Sequence, residues 1–106
     1  MKEKIKILVA DDNIELSSTL ATYLQSQEEI GTVLISSNGI DALNKIRNEK
    51  PDVMILDIVM PQLDGLGVLE KIAEEGIELP YCIMLSGVGQ DAITVKALFT
   101  FKYFDA

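Results

Sequence analysis

The chain has 106 residues, enough for one domain, and its 48% hydrophobic and 25% charged residues are an ordinary globular balance. Lysine and arginine total 9 against 17 aspartates and glutamates, a net charge of -8 that argues against nucleic acid or an anionic membrane as a partner of this domain and favours a cation or a basic partner. Histidine is absent, which removes the usual imidazole base, and a single cysteine, Cys82, excludes a disulfide framework. No apolar run approaches the roughly 20 residues that cross a bilayer, so a soluble, cytoplasmic domain is expected.

Ile5 to Ala10 is a β-branched run predicted as a strand, and it ends abruptly in Asp11-Asp12-Asn13. Asn13 is a helix cap, after which Leu16, Leu20, Tyr23 and Leu24 recur at helical spacing and predict one apolar stripe ending near Gln27 to Glu29. Thr32 to Ile35 is a short strand. Asn38-Gly39 then opens a second helix with Ile40, Leu43 and Ile46 on its buried face, and Pro51 prevents its continuation.

Val53 to Leu56 runs straight into Asp57, and the stretch stops at Pro61. A short continuous apolar run between breakers fits a strand covered on both faces, with one carboxylate delivered at its carboxyl end. Taken alone, Asp57 is equally readable as a cap of the following segment. Asp64 caps a third helix carrying Leu66, Leu69, Ile72 and Ala73, with Gly76 placed to end it. Tyr81 to Leu85 is a fourth strand running into Ser86. Residues 90–97 read as a short helix and 99–102 as a brief fifth strand. Cys82, Met54, Met60 and Met84 read as core or loop filling.

Strands and helices alternate along the chain, which predicts an α/β fold with right-handed crossovers and helices on both faces of a parallel sheet. Five strands suit the flavodoxin-like, doubly wound order 2-1-3-4-5, whose switch point brings the ends of strands one, three and four together. Asp11, Asp12, Asp57 and Ser86 then converge. Three carboxylates in one crevice repel one another unless a cation neutralises them, and an all-oxygen set suits Mg2+ or another hard divalent cation. Asp57 becomes a nucleophile candidate for a phosphoryl group, with the Ser86 hydroxyl and the Lys102 ammonium as donors to its other oxygens. A flavodoxin-type cofactor loop is disfavoured because Asp11 and Asp12 repel a phosphate. A phosphohydrolase with an aspartate nucleophile commonly has a second acid two residues on, where this chain has Val59.

Asp11-Asp12 after strand one, Asp57 ending strand three, Met60-Pro61 followed by Asp64-Gly65, and Ser86 ending strand four together resemble the response-regulator receiver domains of bacterial two-component and phosphorelay signalling. More narrowly, Ala10-Asp11-Asp12-Asn13, the stretch Met60 to Leu66 and the stretch Leu85 to Asp91 resemble receivers of sporulation-type transcription regulators. The resemblance implies phosphorylation of Asp57 by a histidine kinase or histidine phosphotransferase. It implies Mg2+ held by Asp11, Asp12, Asp57 and the backbone carbonyl of Val59, with Ser86 as switch hydroxyl, Lys102 as site ammonium and Phe99 as switch aromatic. A degenerate receiver acting only as a protein-binding or dimerisation module is the alternative.

The resemblance is good from residue 3 to about 97, after which the chain departs from it. Lys102 is followed by Tyr103 where receivers usually have proline, and roughly half a dozen residues are missing before it by element length. The whole chain is therefore expected to be one receiver, shortened after about residue 97, without the usual last helix and without an effector domain for DNA. A natural deletion, an engineered one, an interrupted stretch and a divergent end all fit. The sheet surface that a fifth helix normally covers predicts association, including a homodimer made by exchanging the carboxy-terminal segment.

Overall fold

Each apolar run bounded by caps and breakers becomes one element of the chain. The computed structural model describes residues 3–85 and the backbone of 92–94. In order, the elements are β1 (Ile5–Ala10), α1 (Ile14–Gln25), β2 (Ile30–Ser36), α2 (Gly39–Glu49), β3 (Val53–Asp57), α3 (Gly65–Glu74), β4 (Tyr81–Leu85) and β5 (Ala92–Thr94). The sheet order is β2-β1-β3-β4-β5, and β1 to β4 run parallel. This is the flavodoxin-like arrangement expected from the alternating pattern.

The helix starts follow from local chemistry. Asn13, Asn38 and Asp64 each have extended backbone and accept a backbone N–H from the first turn, at Leu16, Asp41 and Gly67 respectively. Each cap satisfies one of the amide groups that a helix leaves unpaired at its amino end. Lys50, in the left-handed region with φ 49°, closes α2 before Pro51, and Gly76, with φ 67°, follows the end of α3.

Strand register explains where the core sits. Leu34, Leu8, Met54 and Cys82 form one row across the sheet, and Ser36, Ala10, Leu56 and Met84 form the next on the same side. These rows meet Ala42, Leu43 and Ile46 of α2 and Val68, Leu69 and Ile72 of α3 in one buried cluster. Removing each large aliphatic side chain there from water contributes about 1.5–3 kcal/mol. On the other face, the rows Val33–Ile7–Val53 and Ile35–Val9–Ile55–Ile83 lie on the α1 side. There Ile7 and Val9 are buried, while Val33, Ile35, Val53, Ile55 and Ile83 are only half-buried.

Five expectations are corrected. In α1, Leu16 is exposed and Tyr23 is 64% exposed, because Ser17 takes the inward position with its hydroxyl bonded to the carbonyls of Asp11 and Asn13. Ile40 and Leu66 are exposed as well, and Ala42 and Val68 are buried in their helices instead. The buried stripes start one residue earlier, at Gly39 and Gly65, and continue through Ala42, Leu43 and Ile46 and through Val68, Leu69 and Ile72, so Ile40 and Leu66 fall beside them. Ala92–Thr94, expected within a helix over 90–97, is instead a strand, β5, paired antiparallel with β4. The stretch after Gly87 and Gly89 is too short a window to fix a helical period. Residues 99–102 lie outside the described residues.

Candidate functional site

The acidic cluster is built by strand register. Ala10 pairs with Leu56, so Asp11 and Asp57 follow at the carboxyl ends of adjacent parallel strands. Asp12 is the next residue of the β1–α1 loop. One carboxylate oxygen from each of Asp11, Asp12 and Asp57 lies within 4.8 Å of the others. Asp11 and Asp57 are buried, whereas Asp12 is exposed.

Each buried acid is held by its surroundings. The Asp11 N–H donates to the Ser36 carbonyl at 3.0 Å, and its Oδ1 accepts the Asn13 N–H at 2.8 Å. The Ser17 hydroxyl donates to the Asp11 carbonyl at 3.2 Å. Sequence reading missed Ser17, since a serine inside an apolar stripe looks like a solvent-facing position. On β3, the Val59 N–H reaches Asp57 Oδ1 at 3.4 Å and the Ile58 N–H donates to the Leu85 carbonyl at 3.2 Å. Gly65 donates to the Ile58 carbonyl at 2.8 Å, and a methyl at Gly65 would overlap the carbonyl of Asp57. The loop between β3 and α3 is thus pinned at both ends.

Burial, then the neighbouring Asp11 charge, pushes the Asp57 carboxyl above the usual carboxylate range, opposed by the Val59 N–H and reinforced by Asp12. Among the described residues no lysine or arginine forms an ion pair with these three acids; the cations pair elsewhere, as Lys6–Glu49, Lys45–Asp41, Arg47–Glu75 and Lys71–Glu74. Three convergent oxygens with no cation beside them among the described residues match what a hard divalent ion requires, and the donor set contains no soft ligand. Ser86, Lys102 and Phe99, expected at the same site, lie outside the described residues. A groove lined by Arg47, Lys50, Glu75 and Tyr81 lies at the opposite end of the sheet and has no part in the cluster.

A doubly wound α/β sheet carrying an acidic pocket at its switch point defines a class of small regulatory or binding domain. The family follows from comparison: the model of the response regulator receiver domain matches residues 7–103, and the chain belongs to that family. It is therefore a phosphoacceptor signalling domain, a class of regulatory unit not generally counted among enzymes. The receiver domain of Francisella response regulator 1452 is 30% identical with a TM-score of 0.72, covering 81% of this chain and 69% of that one. The response regulator domain of Thermotoga maritima CheB is 27% identical with a TM-score of 0.76, covering 95% and 73%. A chain of the CheX–CheY–BeF3–Mg2+ complex from Borrelia burgdorferi is 27% identical with a TM-score of 0.70, covering 84% and 66%. Receiver domains of the family bind Mg2+ at an acidic pocket, and they interact with histidine kinases or phosphotransferases.

Proposed function

We propose that Asp57 takes a phosphoryl group from a phosphohistidine donor, with Asp11, Asp12, Asp57 and the Val59 carbonyl holding a Mg2+ ion. The observation that carries this reading is the meeting of three carboxylates at the ends of two adjacent strands with no described lysine or arginine to neutralise them. The Borrelia complex, which contains BeF3 and Mg2+, is consistent with such a pocket. In this reading the ion, when bound, supplies neutralisation of the charge on the acids and on the incoming phosphoryl oxygens.

The remaining chemistry belongs to this chain. A free Asp57 oxygen attacks phosphorus in line with the departing imidazole nitrogen; the P–O bond forms as the P–N bond breaks, and the donor imidazole leaves with a proton. The Val59 N–H, already directed at Asp57 Oδ1, holds the second carboxylate oxygen aside. Ser86 and Lys102 are proposed to donate to the two other phosphoryl oxygens. The donor histidine lies outside these 106 residues, which contain none. Ile14 and Val59, adjacent in sequence to Asn13 and two residues beyond Asp57, are 60% and 67% exposed and give that donor an apolar rim to dock against.

The finer reading is a cytoplasmic receiver, occupying residues 1–106 and shortened after about residue 97, that switches a sporulation-type transcription regulator. DNA contact then belongs to a separate effector domain. The sequence stretches around Asp11, Met60 and Ser86 support it. Chain association by exchange of the carboxy-terminal segment is part of the same reading, supported by the half-buried Val53, Ile55 and Ile83, and light scattering at high concentration tests it.

The test is intact-mass spectrometry after incubation with acetyl phosphate and Mg2+. A gain of one phosphoryl group that disappears with chelator and in Asp57→Asn supports phosphoacceptor function. A folded protein that gains nothing is instead a receiver acting only as a binding module.

A further inference from the structure

Gln62 carries the left-handed backbone value φ 70°, and it sits in a three-residue turn closed by the Leu63 N–H on the Pro61 carbonyl at 2.8 Å. A turn of this kind is rare and costly for a residue with a side chain, and such backbone persists only where its surroundings impose it. The surroundings here are the first residue of α2. Gly39 donates its N–H to the same Pro61 carbonyl at 3.4 Å, and its Cα lies so close to the Leu63 carbonyl that an added methyl would overlap backbone on that side. Gly39 is buried, and Asn38 immediately before it caps the helix by accepting the Asp41 N–H at 2.8 Å.

We infer that Gly39 is a positioning residue for the divalent-ion site, acting by clamping the Pro61–Leu63 turn so that the loop carrying Val59 keeps one shape. This rests on the reading above in which the Val59 carbonyl is a ligand. The loop runs from Asp57 to Gly65, and its two ends are fixed by bonds to Leu85 and within Ile58–Gly65. The strained middle is braced by an element that contributes no ligand itself. Groups that orient a ligand from behind typically change metal affinity by about 10–100-fold when disturbed. A glycine is required at this helix start because the approach is backbone to backbone, with no flexible side chain able to give way.

The experiment measures Mn2+ binding by the loss of the free-ion paramagnetic resonance signal, with no phosphodonor present, and checks folding by circular dichroism. Gly39→Ala is expected to fold and to bind Mn2+ about tenfold more weakly. Gln62→Gly alone is expected to bind within about twofold of the parent, because relieving the turn leaves the clamp intact. In the Gly39→Ala background Gln62→Gly is expected to recover a large part of the affinity, since a freer turn steps back from the added methyl. Should Gly39→Ala fail to fold, Asn38→Ala loosens the same helix start without added bulk, and a drop of about threefold or more carries the same conclusion. Parent-like affinity in a folded Gly39→Ala, no recovery by Gln62→Gly, or parent-like affinity in Asn38→Ala would overturn the inference. Absence of Mn2+ binding by the parent chain would instead remove the ion-site reading on which it rests.

Discussion

Asp11 and Asp57 leave neighbouring parallel strands at the same level, set by the pairing of Ala10 with Leu56 just before them, and both are buried. With Asp12 beside them, their charges meet where the described part of the fold supplies no basic side chain. The fold therefore maintains an electrostatic conflict that an ion or a proton relieves. Most of the behaviour expected of this domain follows from that conflict.

Asp57→Asn should stabilise the chain when divalent ions are removed. The carboxyl of Asp57 is held above the ordinary carboxylate range by burial first and by Asp11 second, so the charged form is disfavoured in the folded state. An uncharged amide of the same shape removes that penalty. Thermal unfolding with chelator at neutral pH should show Tm raised by a few degrees, whereas an unchanged or lower Tm would mean the Asp57 charge is already well accommodated.

The same shift fixes a pH dependence. The folded chain keeps the Asp57 proton to higher pH than the unfolded chain does, so the penalty is absent at pH below the unfolded value. It grows as pH rises from there through the raised folded value and is constant above it. In chelator, the Tm advantage of Asp57→Asn over the parent should thus be small in acid and increase through that window. A difference that shrinks with rising pH would reverse the assigned sign.

Mg2+ should raise the unfolding free energy of the parent chain, by about 2.7 kcal/mol at an ion concentration near a hundred times Kd. Protons compete for the same oxygens, so this gain should decline as pH falls into the range where Asp57 takes up its proton. Denaturant titrations with and without Mg2+ at several pH values measure it. A gain independent of pH would place the ion away from Asp57.

Two backbone supports of the site differ in kind. Asp64→Ala removes the side-chain acceptor of the Gly67 N–H at the start of α3 and should cost about 1 kcal/mol in urea unfolding. Gly65→Ala places a methyl against the Asp57 carbonyl, where only backbone movement makes room, and should cost more, on the order of 3 kcal/mol. Equal costs would show that the β3–α3 loop yields freely.

Much of this was legible in the sequence because the decisive signals are local. An apolar run that stops at an acid marks a strand end, and Asn13, Asn38 and Asp64 are cap residues whose chemistry is the same in any fold. Parallel order then brings the strand ends together without further information. What was not legible depends on tertiary contact. Leu16 and Tyr23 have the spacing of a buried stripe, yet only contact with the sheet decides which face of α1 turns inward, and Ser17 takes that position through its bonds to Asp11 and Asn13. The role of Gly39 was equally hidden, since a glycine after an asparagine reads as a helix start and its approach to Leu63 spans distant parts of the chain.

The most direct test of the central claim is to locate the phosphoryl group. After reaction with acetyl phosphate and Mg2+, borohydride reduction converts an aspartyl phosphate to homoserine, and peptide sequencing by mass spectrometry identifies the position. Homoserine at residue 57, absent without Mg2+, is the predicted result; homoserine at Asp11 or Asp12, or at no position in a chain that has gained a phosphoryl group, would contradict it.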